Sequence, residues 1–152
     1  MSSRQCLSNE RGATLLEVPF ALLWVLLVIF GLTESGRLML AYTTLAEAAR
    51  AGTRYAIVHG NYRTGGGVDG PSGPGNTANV EAAVKKVTTA AGLPATKITV
   101  YDTGTEPMYL DGTNNIGGRV RVKVSYPFTS VLPLLAPFSV TIGGTSEGII
   151  CY

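Results

Sequence analysis

The hydrophobic pattern begins with an unbroken apolar run near the start of the chain. Residues 13–32 contain a single charge, that of Glu17. At about 1.5 Å of rise per residue, these 20 residues form a helix about 30 Å long, which matches the hydrocarbon core of a bilayer. The run therefore predicts one membrane-spanning helix with a domain attached to it.

Glu17 admits two interpretations within this run. It lies five residues beyond Gly12, so it would be about 7 Å deep if Gly12 marked the membrane surface. Because the side chain can reach back toward that surface, the cost at the bilayer centre, about 2.5–3.5 kcal/mol, is an upper bound. Glu17 is either a tolerated interfacial acid or a buried acid that binds a cationic partner during assembly.

Helical periodicity continues beyond the apolar run as far as Val58. Two oppositely charged pairs, Glu34 with Arg37 and Glu47 with Arg50, are each three residues apart and can meet on the helix surface. Spacings of four, three and four residues predict one apolar stripe, made up of Leu38, Tyr42, Leu45 and Ala49.

After this helix the pattern predicts a loop and a second helix. His59 and Gly60 end the first helix, with the glycine in the left-handed cap position. Residues 61–76 are rich in glycine and proline, which predicts a mobile loop. Residues 77–91 predict the second helix, whose apolar face contains Val80, Ala83, Val84 and Val87.

Alternating positions in the last third predict strands at residues 97–103, 118–128 and 139–142, the last resumed at 148–151. A polar loop is predicted at 105–115, and the three prolines in residues 127–137 exclude an ordinary membrane helix there. In the second strand, valines face one side and a basic row faces the other, the latter made up of Arg119, Arg121 and Lys123. That row is either the solvated face of an antiparallel sheet or a surface for an anionic polymer or lipid.

These elements predict an α+β fold, in which a long N-terminal transmembrane and amphipathic helix packs on a small antiparallel sheet with a second helix. Composition adds no catalytic chemistry. The net charge of +2 is too small to argue for nucleic acid, and the one His and two Cys form no zinc pattern. No paired acids, activated nucleophile or cofactor fingerprint is visible, so we predict that the chain is not an enzyme and has no cofactor.

The two cysteines lie on opposite sides of the apolar run. Cys6 precedes the apolar run and Cys151 is next to last, so a membrane would separate them. Cys151 either pairs between subunits or stays free.

A secretory signal peptide is the alternative to a membrane-spanning helix. Such a signal has an apolar region of only about 7–15 residues, whereas this run is longer, contains Glu17 and continues into a helical pattern. These differences favour the membrane-spanning helix.

The sequence RGATLLE at residues 11–17, followed by the apolar run, resembles the processing site of type IV pilin precursors. The resemblance implies cleavage after Gly12 by a prepilin peptidase on the cytoplasmic side. Ala13 would then be the first residue of the mature chain and Glu17 the fifth.

Two further blocks resemble the TadE-like family, small pseudopilins of the tight-adherence (Flp) pilus. FGLTESGR at residues 30–37 is similar to the family's Phe-Gly-x-x-Glu-x-Gly-Arg block. AARAGTRYA at residues 48–56 is similar to its next block, with Thr53 as a mild departure. The resemblance implies a structural subunit whose assembly residues are Glu17, Glu34, Gly36, Arg37, Arg50 and Arg54.

The resemblance also implies a domain organisation: a leader at residues 1–12, a transmembrane and spine helix at 13–58, and an extracytoplasmic domain at 59–152. Implied partners are the prepilin peptidase, other pilin and pseudopilin subunits, the inner-membrane assembly platform and the lipid bilayer. Arginine counts on the two flanks of the run are equal, so the orientation follows from the resemblance alone. The alternative is an uncleaved single-pass membrane protein whose outer domain binds a partner.

Overall fold

A computed structural model of the chain describes residues 10–62, 66, 70–101, 105, 107–131 and 139–151, with side chains described from residue 17 onward. The elements in chain order are α1 (Glu10–Val58), α2 (Ala78–Ala90), a 3₁₀ turn (Ala95–Lys97), β1 (Thr99–Tyr101), β2 (Arg119–Thr129) and β3 (Ser139–Ile149). The predicted α+β fold, with a long N-terminal helix, a second helix and a small antiparallel sheet, is confirmed.

Helix α1 has two halves with different surroundings. It starts at Glu10, three residues before the predicted start, and ends at Val58 as predicted. Across residues 18–40 every side chain except that of Glu34 is exposed, and beyond residue 40 one face is buried. Among the described residues, α1 is the one helix whose length and composition would allow it to cross a membrane. The first half thus extends away from the domain, and the second half is part of its core.

The predicted apolar stripe of α1 is only half right. Leu45 and Ala49 are fully buried, but Leu38 and Tyr42 are 38% and 53% exposed. Small residues make up most of the face that is buried. A Cβ added to Gly52 would lie 2.7 Å from a methyl group of α2 and 3.1 Å from one of β2. Close fit to these elements therefore decides which face of α1 is buried.

The sheet has the strand order β1-β2-β3, with both pairs antiparallel. The three valines of β2 that were predicted to face the core are fully buried, namely Val120, Val122 and Val124. Strand β1 is shorter than predicted, because Lys97 belongs to the 3₁₀ turn, and residues 102–103 lie outside the described residues. Pro127 lies in β2 past Ser125, where the pairing with β1 has ended, so an open edge accommodates its missing N–H.

Strand β3 is continuous, so the predicted interruption after residue 142 is wrong. Glycines within a strand normally weaken it. Here they allow the sheet to approach α1, since a Cβ on Gly144 would lie 2.6 Å from the carbonyl oxygen of Leu45. A Cβ on Gly148 would likewise collide with the side chain of Ile57.

Helix α2 follows the prediction closely at its core and at its end. Val80 and Val84 are fully buried, Ala83 and Val87 are half-buried, and Thr88 is buried as well. The helix ends in a Schellman motif. Gly92 adopts φ +81°, and the N–H groups of residues 92 and 93 donate to the carbonyls of residues 89 and 88 at 2.9 and 3.0 Å.

The prediction of a mobile loop over residues 61–76 is wrong for residues 70–76. Ser72 is fully buried, its N–H donates to the carbonyl of His59 at 2.7 Å, and its hydroxyl accepts from the Tyr109 hydroxyl at 2.8 Å. The Asn114 side chain donates to the Ser72 carbonyl at 3.0 Å. These hydrogen bonds hold residues 70–76 against the domain, although the segment contains few apolar side chains. Residues 63–65 and 67–69 lie outside the described residues.

The predicted polar loop at residues 105–115 also packs on the domain over its described part. Met108 and Tyr109 are 0% and 2% exposed. The backbone pairs with β2, because Leu110 donates to the Arg119 carbonyl at 3.0 Å and Arg121 donates to the Met108 carbonyl at 2.8 Å. This segment therefore extends the sheet edge that β1 begins.

The end of α1 differs from the predicted glycine cap. Gly60 is buried and does not have a positive φ, so the left-handed cap is wrong. His59 Nδ1 lies 2.9 Å from the carbonyl oxygen of Tyr55, in the last turn of α1. The two rings also stack, with centroids 3.9 Å apart.

Candidate functional site

The predicted site residues all lie on α1, but the structure does not gather them into one site. Gly12 and Ala13 are in the first turns of the helix, and Glu17 is exposed on the apolar half. The others follow at and beyond residue 34. Because 42 residues of helix separate the first from the last, the set spans about 63 Å.

Two of these residues, Glu34 and Arg37, meet the end of β2. Arg37 Nη1 donates to Glu34 Oε2 at 2.8 Å, and the backbone N–H of Val131 donates to Glu34 Oε1 at 3.2 Å. The Arg37 guanidinium carbon lies 5.4 Å from the ring centroid of Phe128. We call these four residues, Glu34, Arg37, Phe128 and Val131, the junction cluster, because they join α1 to the β2–β3 hairpin.

The junction cluster fixes where the end of β2 lies along α1, and it adds little to the stability of the fold. Its ion pair links residues three apart on a helix, and the two side chains are 17% and 45% exposed. Such pairs stabilise by a few tenths of a kcal/mol, and a cation–π contact at an exposed site by about 0.5–1 kcal/mol. The Glu34 carboxylate nevertheless accepts from both Arg37 and Val131, and so fixes the residues just after β2 at one level of the helix.

Contacts along β2 show the direction in which the hairpin runs. Val122 lies against Gly52, Phe128 against Arg37, and Val131 against Glu34. From residue 52 to residue 37, α1 covers about 22 Å, while β2 covers about 20 Å from residue 122 to residue 128. The strand therefore runs nearly along the helix axis, toward the exposed apolar half.

The remaining predicted assembly residues stand on the surface of α1. Arg50 Nη1 pairs with Glu47 Oε1 at 2.6 Å, where both side chains are more than 60% exposed, and Arg54 is exposed. A Cβ added to Gly36 would meet no atom within 4 Å, in contrast to Gly52. Among the described residues nothing packs on Gly36, so this part of the α1 surface is available to another molecule.

The basic row of β2 is compensated within the chain. Arg119 Nη2 lies 3.1 Å from Asp111 Oδ1, Arg121 Nε lies 2.5 Å from Glu147 Oε1, and Lys123 Nζ is 5.1 Å from the Tyr101 ring centroid. Hydrogen bonds from the side chain and then the backbone of Arg119 lower the pKa of Asp111 below its usual value. The solvated sheet face is therefore the better interpretation of this row.

Neither cysteine joins a cluster among the described residues. Cys151 is free and exposed, and Cys6 lies outside them. Within the same part of the chain, no three His, Cys, Asp or Glu side chains come together as a metal site. Every buried side-chain nitrogen or oxygen described there has a hydrogen-bond partner.

Sequence reasoning missed the partners of Glu34 and Arg37 on the hairpin. The only local signal is that Glu34 follows directly after the apolar run, where an acid needs a partner. Val131 is 97 residues away in sequence, and helical spacing carries no information about contacts at that separation.

A family model, that of TadE-like proteins, matches residues 12–54. This range contains all eight predicted site residues and ends before α2 and the sheet. The resemblance of the two sequence blocks to this family is thereby confirmed. No curated protein and no solved structure matches the chain significantly. The family match and the single helix of membrane-spanning length among the described residues together fit a protein associated with the Tad pilus.

Proposed function

We propose that this chain, whose residues 12–54 match the TadE-like family, is a minor pilin or pseudopilin that assists assembly of a tight-adherence (Flp) pilus or a related secretion system. It is a structural subunit and not an enzyme, anchored by one helix in the inner membrane with residues 59–152 outside the cytoplasm. The observation that carries this proposal is the division of α1 into an exposed apolar half and a half packed on the domain.

The exposed half of α1 requires a covering. Its large apolar side chains, from Val18 to Phe30, are between 44% and 67% exposed. Contiguous apolar patches on soluble monomers are rarely larger than a few hundred Å². Lipid covers this surface in the membrane before assembly, and neighbouring pilin or pseudopilin helices cover it during assembly.

The start of α1 supplies the processing site. Prepilin peptidase cuts after Gly12, removes residues 1–12 and leaves Ala13 as the new amino terminus. The helical backbone at Gly12 must unwind to enter an extended cleft. Glycine favours this step, because it loses helix more easily than other residues and has no side chain to obstruct the cleft.

Co-expression with a prepilin peptidase tests the proposal. The mature protein should lose the mass of residues 1–12, and its amino-terminal sequence should begin at Ala13. Gly12→Val should leave the precursor intact, because a branched side chain narrows the cleft and restricts the backbone. Gly31→Val is the matched control, since Gly31 lies in the same helix with nothing within 4 Å of an added Cβ, and it should be cut normally.

A second candidate function is an uncleaved single-pass membrane protein whose outer domain binds a partner. The observation that favours it is the uninterrupted helix through Gly12, which protects the peptide bond after that residue. Full-length mass in the presence of an active peptidase, for the wild-type chain as for Gly12→Val, would support this candidate and contradict the pilin proposal.

A further inference from the structure

Val131, the last residue described after β2, lies near the level where the apolar run of residues 13–32 ends. Val131 donates to Glu34, which is two residues beyond Leu32, the last residue of the apolar run. Two helical residues correspond to about 3 Å along the axis. If residues 13–32 occupy the hydrocarbon core, Val131 is at the depth of the lipid headgroups, which form a layer about 5–7 Å thick on each side.

The side chains at this level suit a headgroup layer. Val131 is 68% exposed, although it is aliphatic. The exposed guanidinium of Arg37 lies about 7 Å beyond Leu32 along the axis, where lipid phosphates accept hydrogen bonds. An apolar tip beside a cation is the usual combination at a membrane surface.

We propose that Val131 and Arg37 form a second membrane contact, in which Val131 enters the headgroup layer of the bilayer that α1 spans and Arg37 binds lipid phosphate. The inference rests on the proposed membrane anchoring, and it adds that the domain lies against the bilayer instead of standing clear of it. Two contacts, one through the helix and one through the hairpin, restrict the tilt and rotation of the domain. The subunit is thereby held in one orientation before assembly.

The opposite end of the domain provides a matched control position. Ile116 is also an exposed aliphatic residue, with 59% of its surface accessible. The next residue, Gly117, donates to the Ile150 carbonyl, and nearby Asn114 accepts from Asn61, just beyond the end of α1. Ile116 is therefore far from the apolar half of α1, and a label there reports the water-exposed end.

The test uses the full-length chain with Cys6→Ser and Cys151→Ser, inserted at one copy per nanodisc of phosphatidylcholine and phosphatidylglycerol. Single cysteines at Val131, Ile116 and Val28 are labelled with an environment-sensitive fluorophore. Lipids with a nitroxide near the headgroup end of the acyl chain serve as quenchers. The label at residue 131 should emit at shorter wavelength than the label at residue 116, and should lose most of its intensity when nitroxide lipid is present.

Three other outcomes would overturn the inference. If the label at residue 28 is quenched and the label at residue 131 behaves like that at 116, the hairpin contact is wrong and the membrane anchor stands. If the label at residue 28 is not quenched, the anchoring itself is wrong. If neither lipid nitroxide nor an aqueous quencher reaches residue 131, protein covers it. A label at Ser139, which pairs with Thr129 at the base of the hairpin, repeats the measurement without altering residue 131.

Discussion

At the scale of single residues, two acids on α1 have opposite surroundings. Glu34 accepts hydrogen bonds from Arg37 and from the Val131 backbone. Glu17 is exposed on the apolar half, with no hydrogen bond or ion pair from any described residue of the chain. A carboxylate in that position is costly in a bilayer unless another group binds it. The proposed partner is the amino terminus that cleavage creates at Ala13, on the same or a neighbouring subunit.

Replacing Glu17 by leucine should separate insertion from assembly. Glu17→Leu removes a charge from the membrane segment, so insertion should persist and become more favourable by up to a few kcal/mol. The amine of Ala13, with an ordinary pKa of about 7.7–8.0, is mostly cationic at neutral pH and would lose its partner. We therefore expect normal processing but reduced recovery of the pilus complex, measured by co-purification with the other subunits.

The control for this variant is Glu81→Leu, the same substitution on α2, away from the predicted assembly residues. The Glu81 side chain is 36% exposed and pairs with Lys85, so its loss should leave complex recovery near that of the wild type. Full recovery of the complex with Glu17→Leu would contradict the assembly role of Glu17.

At the scale of elements, the contact between α1 and β3 depends on the absence of side chains. Gly144 is buried against the backbone of α1 at Leu45 and Ala46. Backbone atoms cannot rotate away as a flexible side chain would. Strand β3 stays paired with β2 through the two glycines at residues 143 and 144.

Gly144→Val should therefore destabilise the domain. The added Cβ would lie 2.6–2.8 Å from three backbone atoms, and overpacking of this kind costs about 1–3 kcal/mol. We expect a lower midpoint of chemical denaturation for the detergent-solubilised protein, followed by circular dichroism. Thr145→Val is the control, because Thr145 is exposed in the same strand and should change stability by less than about 0.5 kcal/mol. Equal midpoints for both variants would show that α1 does not press on β3.

At the scale of the whole molecule, α1 connects the apolar segment and the sheet in one continuous element. Helix α1 packs on α2, β2 and β3, so no flexible linker separates the domain from its anchor. A displacement of the helix therefore moves the domain with it. Such rigid coupling suits a subunit whose place in an assembly is set by its membrane helix.

Thiol labelling should report the orientation of the whole chain. Cys151 is exposed, and its backbone N–H donates to the Ile57 carbonyl at the end of α1. If residues 59–152 are outside the cytoplasm, a membrane-impermeant maleimide should label Cys151 in intact spheroplasts. Cys151→Ser should abolish that signal. Labelling that requires permeabilised membranes would indicate the opposite orientation.

The sequence alone determined the elements whose signal is local. The apolar run predicted α1, alternation predicted β2, and the helical spacing of apolar residues predicted α2. The pairs of Glu34 with Arg37 and of Glu47 with Arg50 also followed from spacing on one helix. These features depend on residues within a few positions of one another, where helix and strand periodicity fix the geometry.

Only the tertiary structure decided which faces meet and which loops are held. The glycines of β3 locally predict a break, but they pack against α1, and the glycine-rich residues 70–76 are fixed by Ser72, Tyr109 and Asn114. The position of Val131 beside Glu34 joins residues 97 apart. Steric fit and hydrogen bonding between distant segments depend on the folded geometry, which no local pattern of apolar and polar residues encodes.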